Sequence, residues 1–557
     1  MGGTSSLTLL TLSAMVACTA RAGAPADLAR LDLKGNGMSE DSVALAVAAA
    51  ARVLGCPEAD RDRLWYLSGN AFAPVIDRAE DCTSWWHVES CWGDRGLENA
   101  AAALGLAAER VVLPEGAVDG RDAEAVRRRR LDCVRPLREA MSGGAVLLSL
   151  GGWEAATPHG FVPWGWAGII TDVRDDGTIL GACLNGRPDN PLRLPGTVWA
   201  LRRGSVPAPA IDSQRRALRL GVARIRGEAP FAPVDKACFG AAALDALILQ
   251  MRTVPGFCPG CQQREHKGWT DAVDNARWLD AAARASAAGL QTAAEVFPAA
   301  ARGHLRAAAD RYGRVRALLQ PALTGQGAEP FKAFVGDLAK QQAFAESVLR
   351  PIRAELVLAA ADLETALLAD AGGRPVLVPA AVAAFAQEVM LLPDLNPVRT
   401  NLLMRLVCLR AMGDRATDYD SLVVLSGWGN SFAYHAKKYW FMYQPPDDPA
   451  TTATRLERGT GFGWETVPKA SAEECWKTVM ASVDSGRPLQ APWLDDYIFA
   501  GYLDTPAPAD RHVFALGGWR EPGWLSWKEF AEWTRERGEF GRPSGSVAPR
   551  DPAVAAE

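Results

Sequence analysis

Two stretches of this chain, far apart in sequence, carry the same punctuation in the same order. In the first, the Ala-rich apolar segment Val43–Leu54 stops at Gly55. Nine residues later comes Leu64-Trp65-Tyr66-Leu67-Ser68-Gly69, followed by Asn70 and Phe72. In the second, Thr400–Met412 stops at Gly413, and nine residues later comes Leu422-Val423-Val424-Leu425-Ser426-Gly427, followed by Asn430-Ser431-Phe432. Both segments have helical composition and end on Gly, which closes a helix in the left-handed conformation without strain. Further on, helical patterns over Ala123–Met141 and Ala472–Val483 end at Ser142-Gly143-Gly144 and Ser485-Gly486-Arg487-Pro488. A third helical pattern covers Glu98–Leu106. Apolar strands follow: Ala145–Leu150, Trp164–Val173, a turn at Arg174-Asp175-Asp176-Gly177, Thr178–Cys183 and Val198–Arg202 in the first stretch. In the second, an apolar strand with Trp493 (as Trp153 follows in the first) leads to Tyr497–Leu503, which aligns with Trp166–Asp172. The matches predict a duplicated α/β module, at 38–203 and 396–535; two unrelated α/β segments are the alternative.

Between the stretches, 210–392 reads as a helical domain. Ala281–Val296, Ala299–Leu319 and Phe331–Leu368 place apolar residues at three- and four-residue intervals, with breaks at Gly325-Gln326-Gly327 and Gly372-Gly373-Arg374-Pro375. The expected fold class is therefore α+β, with two α/β modules flanking a helical bundle and a disordered tail over 536–557. At 557 residues the chain is too long for one core. A net charge of −5 lacks the basic balance of a nucleic-acid binder. Arg127–Arg130 reads as a solvated helix face.

Leu7–Ala17, followed by Ala20-Arg21-Ala22, has the length of a signal-peptide core over 1–22 and is too short to span a bilayer. This predicts export to the periplasm or envelope; a cytoplasmic chain with a buried or disordered N-terminus is the alternative. The eleven cysteines are odd in number and dispersed, unlike a disulfide framework. Cys258 and Cys261 form a lone CxxC that, with Cys238 and His266, has zinc-compatible spacing, but strong zinc signatures pair two such knuckles. A local disulfide and ordinary loop cysteines are the other readings, and no metal site or cofactor is expected. Nineteen tryptophans against eight tyrosines supply core, and a few near the Leu-Ser-Gly loops are candidates to line an apolar groove.

A helix followed by a twisted antiparallel sheet resembles the layout of papain-like, C39-like cysteine peptidases. Leu67-Ser68-Gly69 before Phe72, the Gly143-Gly144 helix end, and Trp166–Thr171 with Asp175-Asp176-Gly177 resemble the N-terminal domain of butirosin biosynthesis protein H and related C39-like proteins. His304–Tyr312 resembles the helical region of that family's relatives. The resemblance implies a thiolate at the start of the first helix and a His at the start of a central strand, oriented by Asp or Asn. Here the helix starts carry Asp41-Ser42 and Arg399-Thr400, and the strand positions carry Trp166 and Asp496 or Tyr497. Ser42 and Thr400 are candidate nucleophiles, with helix capping as the simpler role. A non-standard site is conceivable from Cys82 with His87 or His159, oriented by Asp172. Ser68, Asn70, Trp153, Trp166, Ser426 and Trp493 are the candidate ligand-binding residues. The expected function is a catalytically degraded protein that binds a peptide or small acyl or amide ligand. An active acyltransferase or amide hydrolase and an envelope scaffold are the alternatives.

Overall fold

The computed structural model describes residues 42–544, apart from 78–92, 115–121, 151–166, 183–189, 193–196, 205, 229–236, 254–267, 325–336, 393–396, 427–432, 436–439, 443–448, 469, 492–496, 518–520 and 537–539. The chain is mixed α+β and separates into two compact units. Within the described residues, one comprises Ser42–Arg61 and Ala101–Ala208. The other comprises Asp62–Ala100 and 209–544.

The first unit is built on a six-stranded antiparallel sheet of β1 (Leu106–Arg110), β2 (Val146–Leu150), β3 (Gly168–Val173), β4 (Ile179–Ala182), β5 (Asn190–Leu192) and β6 (Thr197–Arg203). Its order is β1-β6-β2-β3-β4-β5. Helix α1 (Ser42–Val53) is buried nearly all round, because its Ala residues let neighbours approach closely, and it packs on β2 and β3. Helix α2 (Ala123–Ser142) is amphipathic and covers Leu147, Ile170, Val198 and Ala200 with Cys133, Leu137 and Ala140. Leu106–Arg110, expected to be helical at its start, is a strand that pairs with β6.

The second unit joins a helical bundle to a second sheet. Its long helices include α3 (Ala210–Ile225), α4 (Gly268–Val296), α5 (Ala299–Leu323) and α6 (Arg350–Asp370). The sheet comprises β7 (Arg374–Leu377), β8 (Trp464–Val467), β9 (Leu489–Ala491), β10 (Tyr497–Asp504), β11 (His512–Gly517), β12 (Gly523–Ser526) and β13 (Phe540–Pro543). Its main path is β8-β13-β9-β10-β11-β12, with β7 added alongside β10. Helices α7 (Pro379–Phe385), α8 (Pro397–Ala411), α9 (Ala472–Asp484) and α10 (Trp527–Glu536) also belong to it.

The two sheets share one strand order: first, sixth, second, third, fourth, fifth. In each, the second strand follows a helix closed by a left-handed glycine, Gly144 (φ 76°) or Gly486 (φ 73°). In each, pairing between the third and fourth strands slips at one point, between Ile170 and Asp172 or between Phe499 and Gly501. The short helices Arg61–Leu67 and Tyr419–Leu425 also end alike, since Ser68 and Ser426 each donate a hydroxyl proton to the carbonyl three residues earlier.

Residues Asp62–Ala100 group with the bundle because their backbone is fastened there. Along Leu67–Ala73, four carbonyls accept side-chain protons: Leu67 from Asn99 Nδ2 (2.7 Å), Ala71 from Ser286 Oγ (2.9 Å), Phe72 from the Tyr312 hydroxyl (2.7 Å) and Ala73 from Arg224 Nε (3.2 Å). A buried loop needs such partners, since an unpaired buried carbonyl is costly.

Candidate functional site

The helix start that the resemblance marks for a nucleophile carries Ser42, the first residue of α1. Ser42 is fully buried, and its Oγ accepts the Ala167 backbone N–H at 2.9 Å. Ala167 directly precedes β3, so this bond ties the helix start to the strand entry where a catalytic His is expected. The hydroxyl acts as a structural acceptor there. Asp172 is more than half exposed; its Oδ1 accepts the Val173 N–H at 2.8 Å, and its Oδ2 lies 3.7 Å from Arg174 Nε. Thr400 lies inside α8, past the helix start at Pro397. Cys82, His87, His159, Trp153, Trp166 and Trp493 lie outside the described residues, as do Cys258, Cys261 and His266.

Ser68, Asn70 and Ser426 are buried. The Ser68 hydroxyl donates to the Trp65 carbonyl at 2.7 Å and accepts the Asn70 N–H at 3.1 Å, so it is engaged by its own loop. Side chains pack tightly around it. A Cβ on Gly96 would meet the Ser68 carbonyl at 2.7 Å, and one on Gly69 would meet Leu220 at 2.5 Å. These residues build the frame.

A cavity of about 720 Å³ opens instead within the second unit, among α5, α6, α7 and the sheet. Its polar lining comes from His304, Arg311 and Arg314 of α5, Glu355 and Asp362 of α6, and Gln387. Its apolar lining comes from Leu358, Leu377, Val382, Leu391 and Phe514. Spacing explains the arrangement. His304, Arg311 and Arg314 recur at seven and three residues, and Glu355, Leu358 and Asp362 at three and four, which are one-face intervals on a helix. Gln387 belongs to a π-helical turn, Ala386–Met390, that follows α7. Such turns are rare and often mark functional positions. The turn is anchored by Arg410, which donates to Glu388 at 2.7 Å, and by Arg350, which donates to the Leu392 carbonyl at 3.0 Å.

The charges of the polar lining are paired. Arg311 donates to Asp362 and, at 3.2 Å, to Glu355; Arg314 makes a two-pronged contact to Glu355 with both distances 2.9 Å. Burial pushes the Asp362 carboxyl above its ordinary value, although Arg311 opposes this. Burial pushes the His304 imidazole below its ordinary 6.5, with Asp362 partly offsetting it. His304 is therefore neutral at pH 7, and two cations face two anions.

These shifts set a pH dependence. A histidine whose folded pKa lies below its unfolded value binds fewer protons when folded, so stability falls as pH drops through 6.5 and the loss is complete below the folded pKa. Asp362 acts in the opposite sense: its raised pKa adds stability as pH falls toward 3.8. His304→Gln is expected to flatten the loss of stability just below pH 6.5, measured by urea unfolding at stepped pH. An unchanged slope would place the imidazole in a water-like setting.

Among the described residues, no cluster of three or more His, Cys, Asp or Glu side chains is arranged to hold a metal ion, and no helix is long and apolar enough to cross a membrane. Compared with known proteins, the chain matches no family model and no curated protein.

The paired signal Arg311, Arg314 against Glu355, Asp362 was open to sequence inspection as two complementary charge spacings on neighbouring helices. Nothing in those spacings, however, tells which face meets which.

Proposed function

We propose that this protein is a catalytically silent, C39-like and butirosin-H-like binder, in which two degraded papain-like modules frame a helical middle that holds a peptide or small acyl or amide ligand. The observation that carries the silent part is Ser42. At the position where the resemblance puts a thiolate stands a fully buried hydroxyl whose lone pair already accepts the Ala167 N–H. A nucleophile must reach its substrate and be activated by a base. Ser42 is fully buried, away from any substrate in solvent. The shared strand order and the shared slip between third and fourth strands support descent of both modules from one ancestor. The binding part rests on the cavity, whose volume and mixed lining match those of small-molecule sites.

The test treats the full chain with a fluorophosphonate and a peptidyl vinyl sulfone, then reads adducts by peptide mass spectrometry. No adduct is expected on Ser42. Ser42→Ala is expected to lower the unfolding free energy by about 1–3 kcal/mol, because the Ala167 N–H then stays buried and unpaired. A saturable, pH-dependent adduct on Cys82, abolished by Cys82→Ala, would overturn this reading in favour of an active cysteine acyltransferase or amide hydrolase.

A further inference from the structure

We infer that the ligand of the α5–α6–α7 cavity carries an uncharged amide with an apolar extension; this rests on the binding reading above. The argument is one of charge and valence. Arg311 and Arg314 are balanced by Glu355 and Asp362, and His304 is neutral, so the polar lining exerts no net pull on an anion or a cation.

What the polar lining offers is unused hydrogen-bonding capacity of both kinds. Arg311 spends Nε on Asp362 and Nη1 on Glu355, leaving Nη2 without an acceptor among the described residues. Arg314 spends Nε and Nη2 on Glu355, leaving Nη1 likewise. Asp362 accepts through Oδ2 and keeps Oδ1 without a donor among the described residues. A group that satisfies this set presents one acceptor to the guanidinium edges and one donor to Asp362. An amide does both while remaining neutral. A carboxylate would meet the guanidinium donors but would lie beside the charges of Asp362 and Glu355. An ammonium would meet Asp362 but would lie beside Arg311 and Arg314.

Length fits too. The lining residues of α6 run from Pro351 to Thr365, about 21 Å at 1.5 Å per residue. Leu358, Leu377, Val382 and Phe514 line the same cavity, where a hydrocarbon segment would be withdrawn from water. Two sources share this chemistry: an acyl amide and a short uncharged peptide.

The experiment is calorimetric titration of the full chain at pH 7.5 with four probes: decanamide, N-acetyl-Leu-Ala-Leu-amide, decanoate and decylamine. At least one amide is expected to bind ten times more tightly than either charged probe, and the amide that binds identifies the source. Filling the cavity with Ala383→Trp is expected to abolish that binding, with an unchanged thermal transition showing that the variant is folded; Gln387→Ala serves if it is not, and is expected to weaken binding. Binding of decanoate or decylamine at least as tight as the amides, and lost in the filled variant, would overturn the amide inference and leave the cavity as a binding site. Absence of binding by all four probes, or binding that survives filling, would overturn both.

Discussion

Gly289→Ala is expected to destabilise the protein by about 3 kcal/mol, at the upper end of the usual range for overpacking a core. A Cβ at this position in α4 would lie 2.2 Å from Cγ of Tyr66, closer than any carbon contact survives. The ring has nowhere to go. Tyr66 is fully buried, donates its hydroxyl to Gln214 at 2.7 Å, and packs on Phe72 at a centroid distance of 5.2 Å. Phe72 in turn lies under Tyr312, whose hydroxyl is fixed to the Phe72 carbonyl. The same substitution at Gly303 or Gly313 of α5, where a Cβ meets nothing within 4 Å, is expected to stabilise by about 1 kcal/mol through helix propensity alone. Urea denaturation of the three variants checks both signs. A Gly289→Ala variant as stable as the parent would mean that Tyr66 is loosely held.

Trp476→Ala is expected to cost about 3–5 kcal/mol, the range for removing a large buried aromatic. Trp476 sits on α9, 1% exposed, at the centre of the second sheet's core. Its ring meets Tyr502 edge-on at 5.8 Å and Trp527 at 6.0 Å, and the Arg511 guanidinium lies 5.2 Å from its centroid. Arg511 also pairs with Glu473 at 2.8 Å, so deleting the indole removes one side of a cation that cannot move far. Tyr502, whose hydroxyl donates to Asp484 at 2.7 Å and whose pKa is pushed up to about 12 chiefly by burial, would lose its packing partner. Trp476→Phe is expected to recover part of the loss. Guanidinium unfolding followed by far-UV circular dichroism gives the comparison, and a cost below 1 kcal/mol for the alanine variant would show that the core refills the space.

Much of the architecture was legible because helix ends and turns depend on local chemistry. Gly143-Gly144 and Gly486 close helices for the same conformational reason wherever they stand, and α2 and α9 end within a residue or two of the expected points. Elements set by distant partners were not legible. The helical pattern Glu98–Leu106 runs into Leu106–Arg110, and only pairing with β6 makes that segment a strand. Arg374–Leu377 reads as a break after Gly373, yet it pairs with β10. Phe331–Leu368 reads as one periodic run, whereas its helices are joined through a π-helical turn at Ala345–Leu349. The site was harder still. A Ser-Gly-Asn loop has the composition of an exposed turn, and the side chains that allow it to be buried come from residues as distant as Ser286 and Tyr312. His304 drew notice through its surroundings in the sequence, but Asp362 and Glu355 are ordinary helix-face acids until α5 and α6 are brought together.

The strand that the helical middle lends to the second sheet has a consequence for synthesis. β7 leaves the ribosome about 120 residues before β10, the strand it pairs with. At about 5–20 residues per second it waits roughly ten seconds with its backbone unpaired. An unpaired strand is a template for association with any other extended chain. β7 begins Arg374-Pro375: a charge at its entrance and a residue with no amide proton to offer. The same four residues that pair with β10 in the finished protein are thus poor partners for a neighbour on the polysome, and a Pro375→Val chain should be the one that aggregates as it is made.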